Sequence, residues 1–446
     1  MNGHAQIMSA EVMAGVRERS ATAVTAPGVL RCFVLYGLAG VLVYGVVTFG
    51  AVEPWSLFGF EVMAAGLLVL WAAQQLVTGA EFVLSPLYVP VAFFAAIVGA
   101  QLLLRRTAYA YMTETTGFSY VACTMILLVA VQILRTQEDV KRLAGFLTVA
   151  GFLIAIFALI QNLTSKGEIY WMVPVRGPSF IFGPYVNHNH YAGLMEMLAP
   201  FPLVLSMMEE LTPPKRVLLA FAGVFMAGTI FLSLSRGGMT AFGFEVVFLA
   251  GVLWWKNASR RSAAILAAAC LLILMFLLWL GGKSLVERFV SFKTGGASYH
   301  TRVQIARDSI PMMKARPVMG WGLGTFTTVY PRYRSFYADV FINAAHNDYV
   351  QVLTETGALG FAAVLGFLAV VYVRGFRKLR GSGLDLTQAA TLAALLGVTG
   401  ILVHSLVDFN LQIPANAATF YVVAAIAAAS FQSTGRRRRR SHGSAV

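Results

Sequence analysis

The chain has 446 residues, of which 58% are hydrophobic types and 12% are charged, with a mean hydropathy of +0.71. A soluble domain carries roughly 25% charged residues, so composition excludes a water-soluble globular protein. The net charge of +14 would suggest nucleic acid in a soluble chain, but here the cations sit mostly in short loops between apolar runs, where they report topology, and no nucleic-acid partner is expected.

Residues 1–28 are mixed and polar and read as a tail, without the pattern of a cleavable signal. From there the chain reads as an all-α integral membrane protein. About twelve apolar runs are long enough to span a bilayer: 30–51, 56–78, 83–104, 118–135, 143–161, 191–208, 217–235, 238–255, 262–281, 358–374, 387–407 and 417–431. The first nine occupy 29–281, with an outer loop at 162–190. A large, partly helical loop follows at 282–357, then three spans at 358–431 and a basic tail at 432–446. Cys32, Cys123 and Cys270 all lie in apolar runs and give neither a disulfide framework nor a metal spacing.

An even number of spans puts both termini on one side. Segments on that side hold 20 of the 34 Lys and Arg residues, among them the run Arg436 to Arg440. The other side holds 14, nine of them in the loop 282–357, and long loops are largely exempt from the positive-inside rule. The termini are therefore expected in the cytoplasm and the large loop outside. The arginine run reads as an anchor for anionic lipid head groups.

Within the outer segments, 162–190 ends in Asn187-His188-Asn189-His190. The large loop holds an amphipathic stretch, Thr301 to Arg316, in which Pro311 is expected to kink or end the helix. Gly320-Trp321-Gly322-Leu323-Gly324 follows; it is no dinucleotide fingerprint, because no strand precedes it and the spacing is wrong. A second helical pattern begins near His346.

Ionisable residues at the edges of spans are the informative ones, since charge in lipid is costly. Arg236, before Gly237-Gly238, suits either an outer-leaflet anion or a snorkelling role at a tight hairpin. Arg302, with Arg307 further along, reads as a solvated helix face or an anion site. His346 is a structural histidine or a base, and Asp348 could accept from it or cap the next helix. His404 and Asp408 stand four apart, an ion-pair spacing that either locks the bundle or serves chemistry. His188 and His190 are a poor metal pair, with no carboxylate or cysteine nearby. Nucleotide-loop, zincin, nucleophile-elbow and acidic metal motifs are absent, so neither metal nor cofactor is expected.

The stretch from His300-Thr301-Arg302-Val303 through Gly320-Trp321-Gly322-Leu323-Gly324 to Ala345-His346-Asn347-Asp348-Tyr349 resembles the signature of the O-antigen ligase/polymerase superfamily. Ser235-Arg236-Gly237-Gly238 resembles its other marked position, and Asp408 to Pro414 is similar to exopolysaccharide relatives. The resemblance covers about residues 180–415. It implies an inner-membrane glycosyltransferase of the GT-C type that takes a glycan from undecaprenyl diphosphate on the periplasmic face. The acceptor would be lipid A–core in ligases or another lipid-linked repeat in polymerases, with a slight lean here to the polymerase. Arg236 and Arg302 would then bind the diphosphate and His346 would be the catalytic base, with Arg307, Asp348, Asp408, His188 and His190 as supporting candidates. Membrane lipid and other polysaccharide-assembly proteins are the further partners expected. A transporter or flippase of lipid-linked sugars and a non-catalytic assembly scaffold are the competing classes.

Overall fold

The computed structural model describes residues 26–175, 181–275, 297–337, 341–381 and 383–430. Most of the N-terminal tail, Arg176, the first part of the large loop and the run Arg436 to Arg440 lie outside these described residues. The described chain is an all-α membrane protein apart from one two-residue strand pair, β1 (Glu168–Ile169) with β2 (Val173–Pro174).

The helices follow the apolar runs. They are α1 (Ala26–Val47), α2 (Pro54–Thr78), α3 (Tyr88–Leu103), α4 (Ala110–Ile133), α5 (Gln137–Thr164), α6 (His188–Leu198), α7 (Pro200–Leu205), α8 (Pro213–Leu232) and α9 (Arg236–Trp255). A helix α10 starts at residue 260 and is described to 275. Then come α11 (Ala297–Ala315), the short α12 (Phe326–Val329), α13 (Asp348–Lys378), α14 (Leu386–His404) and α15 (Pro414–Ala428). Eight of these are long and apolar enough to cross a membrane, while α3 and α15 are apolar but shorter. Expected span six is divided: Pro200 and Pro202 each remove a backbone donor, and the run becomes α6 and α7.

Local chemistry fixes the ends. Thr136 and Asp139 form a reciprocal capping box at the start of α5, and Asp385, Ser235, Asn187 and Asn347 accept from backbone N–H groups at the starts of α14, α9, α6 and α13. Pro311 does not end α11, which runs on to Ala315. In α13, Gly357 breaks the helix with φ 64° and ψ −165°, so a short first piece precedes the long apolar one. A Cβ there would lie 2.3 Å from the Val318 carbonyl oxygen, which only glycine permits.

The centre of the bundle is α14, whose residues Ala389 to Val398 are buried. Small residues let its neighbours approach: a Cβ on Gly397 would sit 2.9 Å from Met197 Cα in α6. At one end, the Arg135 guanidinium donates to Glu81 O at 2.6 Å and Lys256 Nζ to Leu379 O at 2.7 Å. At the opposite end Ala415 N donates to Gly50 O and Ala108 N to Trp321 O.

That opposite end carries the large loop, which has its own small core of Ile305, Met312, Phe326, Val329, Tyr330, Ile342 and Ala345. Glu355 holds it down by accepting from Gly324 N at 2.9 Å and Phe326 N at 3.2 Å. Gln101 of α3 binds Met319 O, Glu355 O and Leu323 N. The glycine-rich run is thus a tight knot against α3 and α13.

Candidate functional site

The loop after α14 places Asp408 at the end of the bundle that carries the large loop, fully buried. Its Oδ2 accepts from Asn189 Nδ2 at 2.5 Å and lies 3.4 Å from Arg302 Nη2. Its Oδ1 accepts from Phe409 N at 2.9 Å and lies 3.5 Å from His346 Nδ1. That last contact is an ion-pair distance outside hydrogen-bond geometry, and Nδ1 has no other polar partner. Burial alone would raise the Asp408 pKa; the facing His346 nitrogen and the Arg302 guanidinium outweigh it and hold the carboxyl well below the usual range. Asp408 therefore stays ionised.

Each partner is delivered by a different element. Arg302 lies on α11; its Nη1 donates to Val407 O, and about a quarter of its side chain is exposed (26%). A guanidinium has five N–H donors, so this contact leaves capacity for an anion. His346 precedes the cap of α13 with φ 49°, a left-handed conformation that costs a non-glycine residue about 1–3 kcal/mol. Asn347 fixes it there: Oδ1 accepts from Tyr349 N and Val350 N at 3.0 Å, and Nδ2 donates to Leu406 O at 2.8 Å.

The structure reassigns two partners. The helix cap is Asn347, and Asp348 does not face His346. It accepts from Ser405 Oγ (2.8 Å), Leu411 N (3.2 Å) and Gln412 Nε2 (3.3 Å), tying α13 to the Asp408 loop. Nor does His404 pair with Asp408. Helix α14 ends at His404, so the four-residue spacing no longer lies on one helix face, and His404 Nδ1 meets Glu196 Oε1 of α6 at 2.8 Å.

Arg236 is the first residue of α9, half-buried, behind a Ser235 cap whose Oγ accepts from Gly238 N at 3.1 Å. Its neighbour Gly237 packs on His404 and Val407, so Arg236 and Arg302 flank the same short loop. His188 Nδ1 contacts Ser233 O at 2.6 Å, joining α6 to the turn before Arg236. His190 is buried with its ring 5.0 Å from Phe409, and His346 packs 4.9 Å from the same ring. Arg307 is exposed on α11 and makes no ion pair with the described residues. Asn189, Asn347 and Phe409 are further members of the cluster. The run Asn187 to His190 is the one sequence signal that hinted at Asn189.

Beside this cluster, a cavity of about 720 Å³ lies between α3, α4, α13 and α15. Phe94, Val98, Phe118 and Phe367 are among its apolar walls, and Asp348, Ser405 and Gln412 bring its lining to the Asp408 loop. Among the described residues no group of three or more His, Cys, Asp or Glu could hold a metal ion.

Residues 221–365 match the sequence model of the family described as O-antigen ligase. The match runs from α8 into α13 and contains Arg236, Arg302, Arg307, His346 and Asp348, about a third of the chain in all. No curated protein matches the chain. The match supports membership of the O-antigen ligase/polymerase superfamily.

Proposed function

We propose that this membrane protein transfers a glycan from undecaprenyl diphosphate to a hydroxyl acceptor at the outer ends of its helices, on the periplasmic side of the inner membrane. The observation that carries the reading is the convergence of Arg302 and His346, from separate parts of the loop, on one buried carboxylate beside a cavity with apolar walls.

The chemistry follows from the residues. A diphosphate is already a good leaving group, so the transition state chiefly needs neutralisation of negative charge. Arg236 and Arg302 supply it, because a guanidinium stays charged and binds phosphate oxygens in pairs. His346 presents Nδ1 to Asp408. With the hydrogen on Nδ1, Nε2 is the basic nitrogen and Asp408 stabilises the imidazolium that forms. The acceptor oxygen gives its proton to Nε2 and attacks the anomeric carbon. The bond from that carbon to the phosphate oxygen breaks, and its electron pair leaves with undecaprenyl diphosphate. Configuration inverts, and no metal takes part.

The cavity suits the isoprenoid chain, and the polar cluster at its outer end suits the sugars. His188 and Asn189, both half-buried, extend that polar surface, and we favour a second lipid-linked glycan over lipid A–core as acceptor. The excess of cations in the short loops at the opposite end supports cytoplasmic termini. A transporter is the weaker reading, because Arg302, His346 and Asp408 cluster at one end of the helices.

The test is reconstitution of the full chain in vesicles with a defined undecaprenyl diphosphate glycan, offering either lipid A–core or a second lipid-linked unit. A glycan joined to the second unit is the expected product. Transfer to lipid A–core only would make the chain a ligase. Movement of donor across the vesicle without transfer would sink the transferase reading.

A further inference from the structure

The Glu196–His404 pair takes no part in the scheme above, yet it lies against the site. Glu196 is on α6 and His404 is the last residue of α14, with side-chain exposures of 0% and 1%. Burying such a pair is costly, and its net stabilisation is often nil. Its worth must be sought in geometry. Glu196 Oε2 and His404 Nε2 make no hydrogen bond, so the pair is not locked into a wider polar network.

The two glycines after Arg236 show what the pair touches. Gly237 and Gly238 lie within α9 and neither has a positive φ, so backbone conformation does not demand glycine at either position. Space does. A Cβ on Gly237 would lie 2.6 Å from His404 Nε2 and 3.0 Å from Val407 Cγ2. A Cβ on Gly238 would lie 3.0 Å from Glu196 Oε1 and 2.8 Å from Ala192 Cβ. The first turn of α9 is therefore seated directly on the ion pair. On the other side of the same loop, Arg302 donates to the carbonyl of Val407. Glu245, further along α9, fits a second notch at Gly400, where a Cβ would fall 1.8 Å from its Oε1.

We infer that Glu196 and His404 are positioning residues: the pair fixes the first turn of α9, and with it Arg236, at a set distance from Arg302 so that both guanidiniums address one diphosphate. This rests on the transferase reading above.

The test uses the full chain in vesicles, with donor KM and kcat, direct binding of glycan-free undecaprenyl diphosphate, and the thermal midpoint. Gly237→Ala drives a methyl into the His404 ring. Donor KM is expected to rise at least about tenfold, since small displacements at a reacting centre are costly, with a smaller change in kcat. Adding His404→Ala to Gly237→Ala removes the ring that the methyl meets, and donor KM is expected to fall below that of Gly237→Ala alone yet stay above that of wild type, because the pair itself is gone; full recovery to the wild-type value would overturn the positioning role. General destabilisation would give no such recovery. Unchanged donor KM in Gly237→Ala, or a double variant no better than that single one, overturns the positioning role. Where Gly237→Ala yields no folded protein, Glu196→Gln, which keeps volume and loses charge, carries the test, and an unchanged donor KM again overturns it. Failure of the wild-type chain to bind undecaprenyl diphosphate overturns the donor assignment itself and is seen before any variant is made.

Discussion

At the basic end of the bundle Arg135, Lys256 and Lys378 donate to the carbonyls of Glu81, Leu379 and Ile426. At the opposite end Arg302 and His346 meet the buried carboxylate of Asp408. Two of the first set cover carbonyls at the C-terminal ends of α13 and α15, which have no partner within the helix. Their charge is used up in fastening one helix to the next. The outer pair is held by a group that orients it and leaves Arg302 partly open to solvent. Basic side chains thus serve as fasteners at one end and gather round a buried carboxylate at the other, and the partner atom makes the difference.

The largest effect that would sharpen this contrast is at Asp408. Asp408→Asn removes the charge that faces Arg302 and His346, and turnover is expected to fall by about 10⁴-fold, the cost of turning a buried carboxylate that orients a histidine base into an amide. Its depressed pKa adds a pH signature. A carboxyl held below its unfolded value contributes stability above about pH 4, and that contribution is lost as pH falls further. The gap in thermal midpoint between wild type and Asp408→Asn should therefore narrow below pH 4. A gap that is constant from neutral to strongly acid pH would show that Asp408 is not held ionised.

His346→Ala comes next, with an expected loss of ~10²–10⁴-fold in kcat, the range for a positioned general base. Full glycan transfer at unchanged protein level would leave the outer end structural after all. Arg236→Lys and Arg302→Lys keep charge but lose the planar fork; each is expected to raise donor KM more than it lowers the thermal midpoint. Equal turnover to wild type would remove the paired-oxygen contact. The smallest effect on function belongs to the basic end. Lys256→Met should cost about 1–3 kcal/mol of stability, read as a lower unfolding midpoint, with donor KM unaltered. A shift in donor KM there would break the division between the two ends.

The sequence made part of this legible. Apolar runs marked the helices, and the break at Gly357 falls where the loop was expected to meet the membrane. Arg302, His346 and Arg236 stood out because charge at span edges needs a reason. Their partners did not stand out. Asp408 was visible as one of an i, i+4 pair with His404, but whether the helix continues past residue 404 decides that pairing, and helix ends are poorly fixed by an apolar pattern. Glu196 and Asn189 sit inside or next to a run that reads as ordinary span. Their roles come from contacts with residues about two hundred positions away, which no local period encodes. Pro311 is a further case: the proline marked a break on local grounds, and α11 accommodates it without ending.

The small core of Ile305, Met312, Phe326 and Tyr330 is separate from the main core of the bundle. His346 and Arg302 are supplied from its side, and Asp408 and Arg236 from the other. The candidate site thus lies at the joint between these two cores. Under the proposed transferase reading, variation on the exposed face of the smaller core would retune which sugar is met without disturbing the larger one. At the joint itself there is no such freedom, since a change to either core must be answered by the other.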